Sequence, residues 1–464
     1  MSAPGTVAGS RHREQRFTKW DRKYVTVVGQ YYSMGKIPGP DFGSRVYNSK
    51  SNLALHGMTP RKHVLFFAEA ATLAHVVRPV VLASGLDAER YCVSVATGPD
   101  FRHLVKDSGL QVRDLWCIGT RAYLAAVAAG RPVFPYEVLE RYVEDDLRVI
   151  GEARPDVIVG DFRLSLAVSA RLARVPYLAI SNAYWSPFAP ARFEIPAHAS
   201  TRLLGVAFPN RVFGLLRPII FAQHSLPMHR LRRKHGLPSL GFDLRRVFTE
   251  ADVTLFADVP ELIPTLDSGI AGRYEYIGPI TWAPKGKVPQ ALLDERDPRP
   301  LVYVSLGSSG DPALLRDVVT AVVALGCRAA VATTGLAWNE VVGDGVVVDR
   351  MLPGGEIAAM AKLVICNGGS PSVHQALQQG APVLGIPANL DQLLNMQFVV
   401  DAGAGLSVRA DRVSPITIRS TAQRILGNPL FMQNAKRIEG WFHDYAATER
   451  FAAVLGKVTE QLRA

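Results

Sequence analysis

The chain changes character at Lys62. From there, short apolar runs alternate with longer stretches whose apolar residues recur every three or four positions. "KHVLFFA", "ERYCVSVAT", "PDVIVGD" and "PYLAISN" have strand length, while "VVRPVVLASGL" and "SLAVSARLARV" between them have helical spacing. Strands this continuously apolar are buried on both faces, which calls for a parallel sheet with helices on either side. A second series begins near Arg299 with "PLVYVSL", "LRDVVTAVVALG", "RAAVATT", "GVVVD", "AKLVICN", "PSVHQALQQG" and "PVLGIP". The pattern predicts an α/β protein of two doubly wound, Rossmann-like halves, 58–285 and 286–440. They join near "YIGPITWAPKGKVPQ", where Pro, Gly and Lys cluster. Residues 441–464 read as a terminal helix, one able to cross back to the first half. Residues 1–57 keep no period and read as an irregular basic extension, with Met58 as an alternative start. Ligands of such halves bind beyond the carboxyl ends of the strands, in the cleft between them.

Composition narrows the class. The 464 residues are 48% hydrophobic and 20% charged, as in a globular protein, and no apolar run reaches the length of a membrane span. Cys92, Cys117, Cys327 and Cys366 are scattered without metal-ligand spacing, which fits reduced thiols in a cytoplasmic protein. The net charge of +11 is uneven, because residues 1–60 and an acid-free run from Ile195 to Phe242 supply much of it. No RNA- or DNA-binding signature accompanies that charge. A polyanionic small ligand and an anionic membrane surface explain it equally well.

Three loops carry candidate chemistry. "KLVIC" followed by "PSVHQALQQG" puts Asn367-Gly368-Gly369-Ser370 between a strand end and a helix start, where free N–H groups favour a phosphate. A tight strand–helix turn would look the same. "SLGSSG" (Ser305 to Gly310) and "PANLDQLLN" follow two further strands of the same half, bringing Ser308, Ser309, Gly310, Asp391 and Gln392 to one edge. A carboxylate and an amide supply the hydrogen bonds that sugar hydroxyls need.

This combination resembles the nucleotide-sugar site of GT-B glycosyltransferases of the UDP-glycosyltransferase kind, and the resemblance runs through nearly all of residues 62–460. That family shows HxGxxS between strand and helix, then an Asp-Gln or Glu-Gln pair; here the match is Asn367-Gly-Gly-Ser-Pro-Ser372 and Asp391-Gln392. The resemblance implies that Gly369, Ser370 and Ser372 face the diphosphate, and Asp391 and Gln392 the sugar. Asn367 replaces the usual histidine, and Met351, beside Leu352, stands where an aromatic residue often meets the base. "FFAEAATLAHVVRPVVLA" resembles the family's GHxxP opening, which makes His75 the catalytic base, with Ala74 for Gly and Pro79 one residue late. Asp161 matches the acid that pairs with it; without the resemblance, a structural His75 and an N-cap Asp161 fit as well.

Within the family the likeness is greatest to bacterial rhamnosyltransferases of phenolic glycolipids, through "AEAATLAHVVRPVVLA", "IVGDFRLSLAVSARL", "ISNAYWSPFA" and "CNGGS". It implies an inverting hexosyltransferase taking a UDP- or dTDP-sugar as co-substrate and a hydrophobic, lipid-linked or phenolic acceptor. A nucleotide-sugar epimerase and an inert binding or activator protein of the same fold are the alternatives. No obligatory metal is expected, and "VEDDLR" (143–148) reads as the solvated face of a helix. The segment "TRLLGVAFPNRVFGLLRPIIFAQHSLPMHRLRRKHG" mixes bulky apolar residues with seven Lys or Arg and fits either a peripheral membrane contact or the wall of an acceptor pocket.

Overall fold

A computed structural model of the protein describes residues 61–461, except 267–271, 295, 309 and 335–342. The predicted extension 1–57 lies outside the described residues. Strands β1 (Lys62–Ala68), β2 (Tyr91–Thr97), β3 (Gln111–Asp114), β4 (Val157–Asp161), β5 (Tyr177–Ser181), β6 (Val253–Phe256) and β7 (Tyr274–Tyr276) make one parallel sheet, ordered β3-β2-β1-β4-β5-β6-β7. The second parallel sheet holds β8 (Leu301–Ser305), β9 (Arg328–Ala332), β10 (Val346–Asp349), β11 (Leu363–Cys366), β12 (Val383–Gly385) and β13 (Gly405–Ser407), ordered β10-β9-β8-β11-β12-β13. The strand order reverses between β1 and β4 in the first sheet and between β8 and β11 in the second. Those two points are where a doubly wound sheet opens a crevice for a ligand.

Helices α1 (Ala74–Ser84), α2 (Tyr136–Ala153) and α3 (Leu166–Ala173) cover the first sheet. A short α4 (Ala199–Leu204) and a long α5 (Ala207–Lys234) follow. Helices α6 (Ser370–Leu377) and α7 (Leu390–Asp401) flank the second sheet, and α8 (Ala447–Gln461) is the last element. Alternation along β1 serves two cores at once: Val64 and Phe66 join one, Leu65 and Phe67 the other, all fully buried. Each such side chain contributes roughly 1.5–3 kcal/mol of burial.

Helix α8 packs on the first half although it follows the second in sequence. Phe451, Val454 and Leu455 complete the core beneath α1, with the Phe451 ring 5.8 Å from that of Phe66. A third apolar cluster bridges the halves, joining Tyr184, Trp185 and Ile263 to Leu352, Val373 and Phe398. The cleft therefore has an apolar floor, and the residues above it are held in a fixed relation.

Candidate active site

His75 lies in the first turn of α1, directly beyond the end of β1, and Arg78 follows one turn later on the same face. Asp161 ends β4, whose register pairs it with Ala68 of β1. The reversal of strand order thus delivers the imidazole and the carboxylate to one crevice. His75 Nδ1 is 2.9 Å from Asp161 Oδ1, and Asp161 is fully buried. Its side chain caps no helix, since α3 starts after Ser165 without a side-chain cap. Arg78 also grips Asp161, with Nε 2.7 Å from Oδ2 and Nη2 2.6 Å from Oδ1. Burial works against the Arg78 charge, but Asp161 outweighs it and holds its pKa above that of free arginine. Arg78 Nη2 also comes within 3.3 Å of His75 Nδ1, but an ionised carboxylate only accepts, so the shorter bond to Asp161 calls for the proton on Nδ1 and leaves Nε2 as the basic nitrogen.

The ring is braced from below. Phe162 stacks on it at 4.5 Å between centroids with planes 10° apart. Phe162 takes a positive φ of 57°, a left-handed backbone that costs a bulky residue about 1–3 kcal/mol. The next residue anchors that turn. Arg163 is fully buried, bonds Asp146 Oδ1 at 2.9 Å and Glu69 Oε2 at 3.0 Å, and lies over the Tyr142 ring at 3.4 Å. Asp146 further accepts from Ser165 and Ser169. This corrects the reading of 143–148 as a solvated face: Asp146 is wholly buried because Arg163 supplies the charge it needs. Burial raises the pKa of both Glu69 and Asp146, with Arg163 opposing the rise.

In the second half, Ser305 and Cys366 pair in register at the carboxyl ends of β8 and β11. The loops that follow interlock: Asn367 is buried, and a Cβ on Gly307 would stand 3.1 Å from its Nδ2. Asn367 Oδ1 accepts from the Gly369 N–H at 3.0 Å. That amide, expected to face a diphosphate, is thus engaged within its own turn. Helical geometry leaves the N–H groups of Ser370 and Ser372 without intrahelical acceptors, and Pro371 has no N–H to satisfy. Gly368 has φ +82°, and a Cβ there would meet Met396 Cγ at 2.7 Å, so it shapes the turn from behind. Gly310 likewise folds onto its own loop, against the Leu306 carbonyl. Ser309 lies outside the described residues. Gln392 is buried, and its Oε1 accepts from the Ala388 N–H at 2.8 Å and from the Asn389 N–H at 3.4 Å, the second bond closing the capping box of α7.

A cavity of about 690 Å³ lies between the halves. His75 lines one side; Ser308, Met351, Leu352, Asn367, Gly369, Ser370, Ser372, Asp391 and Gln392 line the other, whereas Gly368 and Gly310 do not. Two of the contacts between its walls bear on the site. Trp185 Nε1 donates to Asp391 Oδ1 at 2.8 Å, and Ser370 Oγ donates to Asn182 Oδ1 at 3.3 Å. Asn182 Oδ1 also accepts from Arg78 Nη1 at 2.9 Å. A continuous chain of bonds therefore runs from His75 through Asp161, Arg78 and Asn182 to Ser370. Arg78, Asn182 and Trp185 were not singled out from the sequence. Arg78 is the residue that displaces Pro79 by one position from the family's pattern. Among the described residues, no three His, Cys, Asp or Glu side chains cluster as a metal centre would require.

A "PGL/p-HBAD biosynthesis glycosyltransferase" of Mycobacterium tuberculosis is 42% identical over 415 residues, which is 89% of this chain and 96% of that protein. The chain belongs to this glycosyltransferase family. A "PGL/p-HBAD biosynthesis rhamnosyltransferase" of Mycobacterium bovis is also 42% identical, over 89% of this chain and 92% of the relative. A protein of Mycobacterium bovis named "Inactive PGL/p-HBAD biosynthesis glycosyltransferase" is 45% identical over 62% of this chain and 78% of its own. Residues 328–457 match the family "Erythromycin biosynthesis protein CIII-like, C-terminal domain". Among solved structures, Spinosyn Forosaminyltransferase SpnP aligns with TM-score 0.63 and 19% identity, over 86% of this chain and all of that one. Spinosyn Rhamnosyltransferase SpnG complexed with thymidine diphosphate aligns with TM-score 0.61 and 19% identity, over 86% of this chain and 99% of that one. The fold is GT-B, as the family resemblance implies, and its two parallel sheets are those that the alternation of strands and helices predicts.

Proposed function

We propose that the protein moves a hexose or deoxyhexose from a nucleoside-diphosphate sugar to a hydroxyl of a hydrophobic, lipid-linked or phenolic acceptor. The observation that carries this reading is His75, backed by the buried Asp161, facing Asp391 and the Ser370 turn across one cavity. An acceptor hydroxyl is a weak nucleophile. Nε2 of His75 takes its proton as the oxygen attacks the anomeric carbon, and Asp161 stabilises the imidazolium that forms. The new C–O bond forms as the bond to the diphosphate breaks, so the anomeric configuration inverts. The negative charge that leaves with the diphosphate is received by the Ser370 and Ser372 N–H groups and the positive end of α6. Asp391 orients sugar hydroxyls. No step requires a metal. The rhamnosyltransferase relative supports a deoxyhexose donor, and the thymidine diphosphate bound by SpnG supports a nucleoside diphosphate.

One observation favours an inert protein of the same fold, namely the relative called inactive. The intact His75–Asp161–Arg78 cluster argues against it. Incubating the protein with UDP- and dTDP-sugars and a phenolic acceptor, with mass detection of product, decides the matter. Transfer lost in His75→Ala supports the proposal. An isomerised donor formed without acceptor points to an epimerase, and no turnover by a folded, donor-binding protein points to the inert alternative.

A further inference from the structure

Helix α5 carries apolar residues on two opposite sides. Its inner side buries Phe213, Phe221, Met228 and Leu231, and Phe213, Ile220 and Phe221 also line the cavity. Its outer side exposes Phe208, Val212, Leu215, Ile219 and Leu226, spaced so that they form one stripe. Leu215 is 80% exposed and Ile219 66%, and Leu203 of α4 adds 84% beside them. An outward helical face in water is ordinarily polar, and an apolar surface of this extent marks an interaction site.

The charge around the stripe identifies the partner. Arg202, Arg211, Arg230 and Arg233 are exposed along α4 and α5, and residues 195–242 contain no Asp or Glu. A protein partner is usually met by a rim of both signs. An apolar stripe whose own helices carry only cations, with Glu140 of α2 met only at the far end by Lys234, fits the plane where anionic headgroups meet hydrocarbon. The cavity opens beside this surface, because its wall includes His198 and Gln223, both exposed. We propose that the outer faces of α4 and α5 rest on an anionic bilayer, with the cavity mouth at the lipid surface where an acyl-anchored acceptor arrives. The acceptor side of this inference rests on the proposed function; the binding to lipid does not.

The test uses the full chain and vesicles with and without phosphatidylglycerol in a phosphatidylcholine background. Flotation should show binding that requires phosphatidylglycerol and weakens with salt. The double variant Leu215→Glu/Ile219→Glu should bind roughly tenfold more weakly, and Arg211→Glu/Arg230→Glu should lose the preference for the anionic lipid. Both should keep the wild-type Tm and full transfer to a soluble phenolic acceptor. Failure of the wild-type protein to float overturns the proposal, as does undiminished binding of both variants. Self-association abolished by Leu215→Glu/Ile219→Glu without any vesicle binding also overturns it, in favour of a second copy as the occupant. Loss of transfer to the soluble acceptor by the wild-type protein counts against the proposed function alone, since flotation needs no turnover.

Discussion

Trp185 reaches from one half of the molecule to donate its indole N–H to Asp391 of the other, at 2.8 Å. A hydrogen bond to a carboxylate is stronger than one between neutral groups, and this one commits Oδ1 while leaving Oδ2 for the sugar hydroxyl that the proposed function assigns to it. Trp185→Phe keeps the packing against Phe248, whose ring lies 4.7 Å away, but frees the carboxylate to turn. We predict a rise in KM for the donor of about five- to tenfold, near 1–1.5 kcal/mol, with kcat nearly unchanged. Initial-rate kinetics with varied donor check this, and an unaltered KM would show that Asp391 is oriented by something else.

Removing the base and removing its carboxylate should differ in kind. His75 sits partly open to the cavity, so His75→Ala is expected to lower kcat by about 10²–10⁴ while Tm barely moves. Asp161→Asn strips the buried Arg78 of its counter-charge as well, which should add a loss of about 3–5 kcal/mol of stability. Denaturant unfolding beside single-turnover kinetics separates the two outcomes. Equal stability loss in both variants would mean that the Arg78–Asp161 pair is not the anchor described above.

Gly368 offers a purely conformational test. Its φ of +82° and the 2.7 Å that a Cβ would leave to Met396 Cγ predict that Gly368→Ala costs about 1–3 kcal/mol. Because the Asn367–Ser370 turn must shift to accommodate it, donor affinity should fall with Tm. Calorimetric titration with UDP and dTDP alongside a thermal melt measures both. A stable variant with normal affinity would contradict this account of the turn.

Acid should loosen the contact between α4 and the second half. Burial alone would raise the pKa of Asp411, but the side-chain bonds from Arg409 and Thr201 outweigh it and hold the carboxyl below the usual aspartate value. A carboxyl that titrates lower when folded stabilises fully above its unfolded value, near 3.8, and loses that contribution as pH falls through the folded one. The wild-type Tm should therefore drop more steeply below about pH 4 than that of Asp411→Asn. Parallel slopes would show that this carboxyl has no part in acid sensitivity.

The central strands and the helices directly between them were legible because burial on both faces of a parallel sheet leaves an apolar rhythm, whereas the short, partly exposed edge strands β3, β7 and β13, together with β6, were not. His75 and the Asn367–Ser370 turn were legible for a related reason, since they stand directly after strands in a fold whose ligand lies at strand ends. Bonds between distant segments leave no such trace. Nothing local to Trp185 announces Asp391, and Asp146 reads as a surface acid until Arg163 is found against it. Asn367 and Gln392 show the converse. Both were read for what they could offer a ligand, yet each also satisfies backbone amides beside it, as short polar side chains near helix starts commonly do.

The position of Phe451 under β1 has a consequence for biogenesis. The first sheet is synthesised before the second, but the side chains that seal one of its faces are made only after all of the second sheet. During translation Val64, Phe66 and Val80 must wait beneath an unfinished lid while the whole second half folds. Removing residues 445–464 would take nothing from the cavity wall and still leave the oldest core uncovered.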